Sequence, residues 1–236
     1  MENLKKFAVG FFGVFVFAVS VLGIGSALFI GAAVVCETGI GVGGDIVIGH
    51  HVVLDAGHGG WDVGKVSSSG TREKDVVFEI TNIVKKELEN KGVKVTMTRD
   101  EDESLADKKR ADILARHKVI NQVKPDLVVS IHANSYPDSS VNGLQIFFQE
   151  GDEEDKQYAT HMQDYLNKTD LFKDRVAMRG DFLILQTGYP SVLIECGFLS
   201  NPIEEKKLLS KDYQEKLGGG IAQSIVHALD SANKIW

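Results

Sequence analysis

Apolar residues between positions 46 and 231 follow two kinds of spacing, one typical of strands and one typical of helices. Apolar runs and apolar–polar alternation predict strands within 46–55, 93–97, 127–131, 143–149 and 192–194. Helical spacing predicts helices over 76–88, 104–122, 153–167, 202–209 and 213–231. Because the two patterns alternate, we expect one α/β domain with a mostly parallel central sheet and helices on both faces.

Small and polar residues mark the ends of some of these helices. Gly92 is well placed to end the first helix, and Ser104 to begin the second. The last helix contains Gly218–Gly220, where each glycine costs up to about 1 kcal/mol relative to alanine. The pattern leaves open whether that helix begins after the glycines or is kinked at them.

The N-terminal segment has a different character, because Phe7–Val35 is a run of 29 uncharged residues preceded by Lys5 and Lys6. A membrane span needs about 20 apolar residues, whereas the core of a signal peptide has about 7–15. We therefore expect a hydrophobic helix within residues 1–36 that anchors the chain in a membrane. The lysines favour a cytoplasmic N-terminus and an exported remainder. Cleavage near Gly31–Ala33, followed by secretion, is the alternative.

The rest of the chain is divided by composition and charge. Residues 37–45 are glycine-rich and predict a linker, which leaves residues 46–236 as the folded domain. The net charge of −7 gives no support to nucleic-acid binding. Two cysteines, Cys36 and Cys196, indicate neither a disulfide framework nor a cysteine-based zinc site.

Four polar residues occupy positions suited to chemistry. His58, His132 and Glu195 each follow an apolar run, and Glu73 precedes the first amphipathic helix. The carboxyl ends of parallel strands meet at one edge of a sheet, so these side chains can converge there. Two histidines and one carboxylate form the ligand set of a catalytic zinc, and a further carboxylate can transfer protons.

Each of these residues also has an ordinary structural explanation. His58 in the turn Asp55–Gly60 could serve only the turn, and Glu73 could interact with a helix dipole. His132 could bond a backbone carbonyl, whereas a carboxylate on a buried strand, as at Glu195, is costly without a partner. Asp55 could orient a ligating imidazole or cap the turn.

Several short motifs follow the pattern of one enzyme family. They are Asp55–Gly60, Glu73, Thr98–Arg99, Arg116, Asn121, Ser130–Asn134 and Val192–Pro202. The chain resembles, over about Val52–Leu229, the zinc-dependent N-acetylmuramoyl-L-alanine amidases of the Amidase_3 family.

This resemblance implies a site and a substrate. It implies one zinc ion per chain, bound by His58, Glu73 and His132, with Glu195 as the catalytic carboxylate. The implied substrate is peptidoglycan, cut at the amide between the lactyl group of N-acetylmuramic acid and L-alanine of the stem peptide. A peptidoglycan-binding regulatory pseudoenzyme and a zinc peptidase that cuts within the stem peptide are the alternatives.

The compact form of the chain is similar to germination-specific, spore-cortex amidases, whose cut precedes muramic-δ-lactam formation. The interval between residues 149 and 192 leaves little room for a blocking helix, so we expect an open site or control by a protein partner in trans. Ala56 and Gln186 depart from the family pattern. Arg99 and Arg116 could steer anionic substrates, but we expect each to form a structural salt bridge.

Overall fold

A computed structural model of the chain describes residues 49–171 and 174–232. The expected anchor in residues 1–36 and the linker at 37–45 lie outside these ranges. Within the ranges, no helix is both long enough and apolar enough to cross a membrane.

The centre of the domain is a six-stranded sheet with the order β2-β1-β3-β6-β4-β5. Its strands are β1 (His51–Ala56), β2 (Lys94–Met97), β3 (Leu127–Asn134), β4 (Gln145–Gln149), β5 (Met178–Gly180) and β6 (Ser191–Phe198). Strands β2, β1, β3 and β6 run parallel to one another, and β4 pairs antiparallel with β6. The predicted mostly parallel sheet is therefore confirmed.

The helices are α1 (Glu73–Asn90), α2 (Lys109–Val123), α3 (Glu153–Asn167), α4 (Pro202–Leu208) and α5 (Lys211–Ala232), with a short 3₁₀ helix at Leu183–Leu185. Alternate residues of the strands pack into two separate apolar clusters. Val52 and Leu54 of β1 pack in the larger one, with residues of α1, α3 and α5. Val53 packs in the smaller one, with Ile120 of α2 and the 3₁₀ helix. The sheet thus has helices on both faces.

The second helix begins later than its sequence pattern indicates. It begins at Lys109, so the prediction of Ser104 as its N-cap is wrong. The preceding loop is bound elsewhere: Asp102 accepts hydrogen bonds from the Gly60 N–H at 2.8 Å and from Lys74 at 2.6 Å. These contacts hold the loop against the glycine turn in a non-helical conformation.

The last helix is continuous through Gly218–Gly220, so it does not begin after them. A Cβ atom at Gly218 would lie 2.5 Å from Cγ2 of Ile83 on α1. Because Gly218 has no side chain, α5 and α1 can approach each other closely. The packing between the two helices offsets the low helix propensity of glycine.

Candidate metal centre

The parallel strands bring the predicted site residues to one edge of the sheet. His132 on β3 and Glu195 on β6 are direct partners in the strand register. His58 follows β1, which is the other neighbour of β3. Glu73, the first residue of α1, reaches the same edge from the loop that follows β1.

Three of these side chains form a compact cluster of metal-binding atoms. Glu73 contacts both imidazoles: its Oε2 lies 3.1 Å from His58 Nε2, and its Oε1 lies 3.0 Å from His132 Nδ1. The candidate ligand atoms all lie within 4.8 Å of one another. Burial raises the pKa of Glu73, but hydrogen bonds and charge from His132 and His58 outweigh it and hold the pKa below its usual range. The carboxylate is therefore ionised, which is the form that binds a metal.

Two glycines leave the space that this cluster occupies. A Cβ atom at Gly57 would collide with the His132 imidazole. One at Gly64, whose φ is +68°, would lie 2.6 Å from Glu73 Oε2 and 2.7 Å from His58 Cδ2. The glycines around His58 are thus required by the close approach of the other candidate ligands as well as by the turn.

Buried arginines hold the backbone of the turn that carries His58. Arg116 donates to the Ala56 carbonyl at 2.8 Å and to the His58 carbonyl at 2.5 Å. Arg99 donates to the Ala56 carbonyl at 2.9 Å and to the Gly57 carbonyl at 3.1 Å. His58 itself has a φ of 58°, a conformation that is uncommon outside glycine and is stabilised here by these contacts.

Only one of the two arginines forms the expected salt bridge. Arg116 pairs with Asp55 at 2.9 Å and with Asp112 at 2.7 Å. The salt-bridge prediction for Arg99 is wrong, because in the described part of the chain its guanidinium donates to backbone carbonyls and lies over the Phe78 ring.

Asp55 has neither of its two predicted roles. Its carboxylate accepts hydrogen bonds from Thr98 and Ser130, both at 2.6 Å, and from Arg116 at 2.9 Å. Burial opposes ionisation, but the Arg116 charge and these hydrogen bonds lower the pKa of Asp55 to about 2. Asp55 is therefore an ionised anchor beneath the site, and it contacts neither the His58 imidazole nor the turn amides.

The carboxylate that does orient His58 is Asp62, which the sequence-based prediction overlooks. Asp62 Oδ2 lies 2.9 Å from His58 Nδ1, and Oδ1 accepts from the Gly64 N–H at 3.1 Å. The backbone of Asp62 also pairs in both directions with Gly59. The contact between the Asp62 carboxylate and His58 fixes Nδ1 of the imidazole and leaves Nε2 facing Glu73. Carboxylates orient metal-ligating histidines in the same way.

Glu195 stands beside the cluster without being part of it. Its Oε2 atom is shielded from solvent and has no hydrogen-bond partner among the described residues. Burial, with a contribution from the Glu73 charge, raises the pKa of Glu195 to about 7. A carboxyl group with that pKa can both accept and release a proton near neutrality.

These groups line a cavity of about 320 Å³. Phe182 and Ile184 contribute an apolar part of the wall, and Lys65 and Lys109 contribute positive charge. The donor set fits a catalytic zinc, because two imidazole nitrogens and a carboxylate face a cavity that can admit a further ligand.

Comparison with known proteins agrees with this chemistry. Residues 52–227 match the Amidase_3 family, described as N-acetylmuramoyl-L-alanine amidase. The chain is 36% identical over 180 residues to the germination-specific N-acetylmuramoyl-L-alanine amidase of Bacillus subtilis, covering 72% of this chain and 76% of that protein.

Solved structures show the same fold. The N-acetylmuramoyl-L-alanine amidase from Clostridium difficile 630 has a TM-score of 0.72 at 29% identity, covering 77% of this chain and 97% of that one. The CwlD amidase from Clostridioides difficile, in complex with the GerS lipoprotein, has a TM-score of 0.70 at 31% identity, covering 80% and 100%. This chain belongs to the Amidase_3 family and is an N-acetylmuramoyl-L-alanine amidase acting on peptidoglycan.

Proposed function

We propose that this amidase is zinc-dependent and hydrolyses the amide between the lactyl group of N-acetylmuramic acid and L-alanine with Glu195 as its catalytic residue. The observation that carries the proposal is the cluster of His58, Glu73 and His132, whose candidate ligand atoms lie within 4.8 Å of one another. When bound there, zinc supplies Lewis acidity toward the scissile carbonyl and lowers the pKa of water to about 7.

The chain's own residues then account for proton transfer. Glu195 takes a proton from the attacking water and delivers it to the alanine nitrogen as the C–N bond breaks. Its pKa of about 7 suits both steps, and its Oε2 is not engaged by another described residue. Asp62 keeps the His58 imidazole in the orientation that presents Nε2 to the metal.

The cavity also has features that suit an anionic stem peptide. Lys65 and Lys109 line it and bring positive charge to its wall, and the Lys109 charge also acts on Asp62 beside His58. We infer that these charges attract the carboxylates of the peptide, while Phe182 and Ile184 exclude water from the region around the scissile bond.

The biological setting is proposed from the relatives and from the N-terminal pattern. The Bacillus subtilis relative is named as germination-specific, which supports a role in spores. We propose that this chain makes its cut in the spore cortex, before muramic-δ-lactam forms. The uncharged run in residues 1–36 supports export, with the chain anchored in the membrane or secreted after cleavage. The complex of CwlD with a lipoprotein supports control by a protein partner in trans.

Two alternatives make different predictions about products. A regulatory pseudoenzyme would bind peptidoglycan without cutting it. Such a protein is expected to lack at least one catalytic or metal-binding residue, whereas this chain has His58, Glu73, His132 and Glu195. A zinc peptidase would cut within the stem peptide and leave L-alanine attached to the sugar.

The test uses the full-length protein, loaded with zinc, on purified peptidoglycan. We expect stem peptides with a new N-terminal L-alanine, and glycan strands free of peptide, when the products are analysed by mass spectrometry. Peptide fragments that leave L-alanine on the sugar would identify the peptidase. No release at all, under conditions where an active family member cuts, would favour the pseudoenzyme.

The spore-cortex role needs a separate test. Expression of the full-length chain in a sporulating Bacillus subtilis strain that lacks its germination-specific amidase should restore muramic-δ-lactam to the cortex. Spores that still lack the lactam, although the chain is expressed and active on isolated peptidoglycan, would place its role in the vegetative wall.

A further inference from the structure

The segment that leads into Glu73 is a closed loop, here called the ligand loop (residues 65–72). Val66 and Arg72 form an isolated β-bridge, and the Ser67 N–H donates to the Thr71 carbonyl at 2.9 Å. The tip between these residues is Ser67-Ser68-Ser69-Gly70-Thr71, so it has several hydroxyl groups and no apolar side chain with which to pack. Another interaction must hold this loop in place.

That interaction comes from Glu205 on α4. Its Oε1 atom accepts hydrogen bonds from the hydroxyls of Ser67 and Thr71, both at 2.6 Å, and from the Ser69 hydroxyl. Glu205 is only 6% exposed, and a buried carboxylate needs such partners. Burial raises the pKa of Glu205, but the three hydroxyl hydrogen bonds outweigh it and hold the pKa below its usual range. The contacts are therefore charge-assisted, which makes them stronger than neutral hydrogen bonds.

The ligand loop is connected directly to the candidate metal ligand. The Lys65 N–H donates to Glu73 Oε2 at 2.8 Å, and this is the same oxygen that contacts His58. The Glu73 N–H donates in turn to the Lys65 carbonyl at 2.8 Å. A shift of the loop would therefore displace the Glu73 carboxylate.

Helix α4 follows β6, the strand that carries Glu195, after a short turn, and two sets of hydrogen bonds fix its position. The Asn201 side chain caps the helix by accepting from the Ile203 and Glu204 N–H groups. Glu204 accepts in turn from the Phe198 N–H at the end of β6 at 2.9 Å. Through α4, Glu205 thus connects the loop that leads into Glu73 to the strand that bears Glu195.

We propose that Glu205 is a positioning residue, which holds the ligand loop against α4 so that Glu73 reaches the metal. This inference rests on the proposed zinc-dependent function. Its opposite is a purely structural role, in which Glu205 stabilises α4 and its surroundings without affecting metal binding.

The test compares zinc affinities of full-length variants by competition with a chelator. For Glu205→Ala we expect zinc to bind about tenfold more weakly, the lower end of the effect of removing outer partners of a metal site. The matched control is Gln214→Ala, which removes a buried hydrogen bond of 2.8 Å to the Leu208 carbonyl at the end of α4 but does not touch the ligand loop. It should lower the melting temperature and leave zinc affinity within about twofold.

A double-mutant cycle tests whether Glu205 acts through the loop. We combine Glu205→Ala with Ser69→Ala and Thr71→Val, which remove two of the hydroxyl donors to Glu205. Ser67 is left unchanged, because its Oγ also accepts from the Ser69 and Thr71 N–H groups within the loop. Because both changes break the same contacts, the combined loss of zinc affinity should be about that of either alone, not their product. If Glu205→Ala does not fold, the variant with Ser69→Ala and Thr71→Val alone is measured instead, and we expect its zinc affinity to be lower than that of the unmodified chain.

The outcomes separate the two proposals. Folded Glu205→Ala with the zinc affinity of the unmodified chain, equal weakening in Gln214→Ala, or multiplicative losses in the cycle would each overturn the role of Glu205. If the unmodified chain itself bound no zinc, the proposed function would fail first and this inference would fail with it.

Discussion

The substitution Asp55→Asn removes the charge that anchors the turn beneath the site. Asp55 is 1% exposed and is ion-paired with Arg116, which is 3% exposed. A pKa lowered from 3.8 to about 2 corresponds to about 2–3 kcal/mol of stability at neutral pH. Removing one partner of a buried pair also leaves the other poorly compensated, at a typical cost of about 3–5 kcal/mol. Arg116 keeps Asp112, so we expect a loss of about 3 kcal/mol in the free energy of unfolding at pH 7.

The pH dependence gives this prediction a second, independent part. The pKa of Asp55 is lower in the folded chain than in the unfolded chain, so its stabilising contribution is present above pH 4 and decreases as the pH falls toward 2. Its contribution at pH 3 should be about half of that at pH 7. The difference between the unmodified chain and Asp55→Asn should therefore narrow by about 1 kcal/mol between pH 7 and pH 3.

Urea denaturation of the full-length chain at pH 7, 5 and 3 measures both parts. The control is Asp75→Asn, which removes a carboxylate of similar geometry, paired with Arg72 at 2.7 Å but 44% exposed. Exposed pairs contribute about 0–1 kcal/mol, so the control should change little. A cost below about 1 kcal/mol for Asp55→Asn at pH 7, or a difference that does not narrow on acidification, would refute the reasoning.

Three further substitutions test other contacts. Burial raises the pKa of Asp155 to about 7, so its stabilising contribution, present below pH 4, is lost as the pH rises through 7. The Asn side chain in Asp155→Asn can still accept from the Ser191 N–H, so this variant should have a higher melting temperature than the unmodified chain at pH 8. An equal or lower melting temperature would contradict this. Gly57→Ala should reduce bound zinc well below one ion per chain by metal analysis, because its Cβ collides with His132; full occupancy would be the opposing result. Asp62→Asn should weaken zinc binding about 10–100-fold in chelator competition, and an unchanged affinity would exclude its role on His58.

Most of the sheet could be predicted from the sequence because its central strands contain apolar runs. Leu127–Ile131 is buried on both faces, so the strand is recognisable without any knowledge of its neighbours. The convergence of His132 and Glu195 follows from the same argument, since parallel strands present their carboxyl ends at one edge.

The features that could not be predicted depend on contacts between distant segments. Strand β5 (Met178–Gly180) is too short to produce a pattern and forms by pairing with β4. Ser104 is a good helix-capping residue, but contacts of the preceding loop with Gly60 and Lys74 override that preference. Asp55 and Asp62 lie on either side of His58, and only the folded turn shows that Asp62 contacts the imidazole while Asp55 faces Arg116.

The central claim is that metal binding and proton transfer are performed by different carboxylates at one site. Glu195→Gln tests it most directly, because the amide has the size of the carboxyl group but cannot accept the proton. The full-length variant should retain about one zinc per chain by metal analysis, while mass spectrometry detects no new N-terminal L-alanine in purified peptidoglycan. Retained cleavage, or loss of zinc together with activity, would contradict the account.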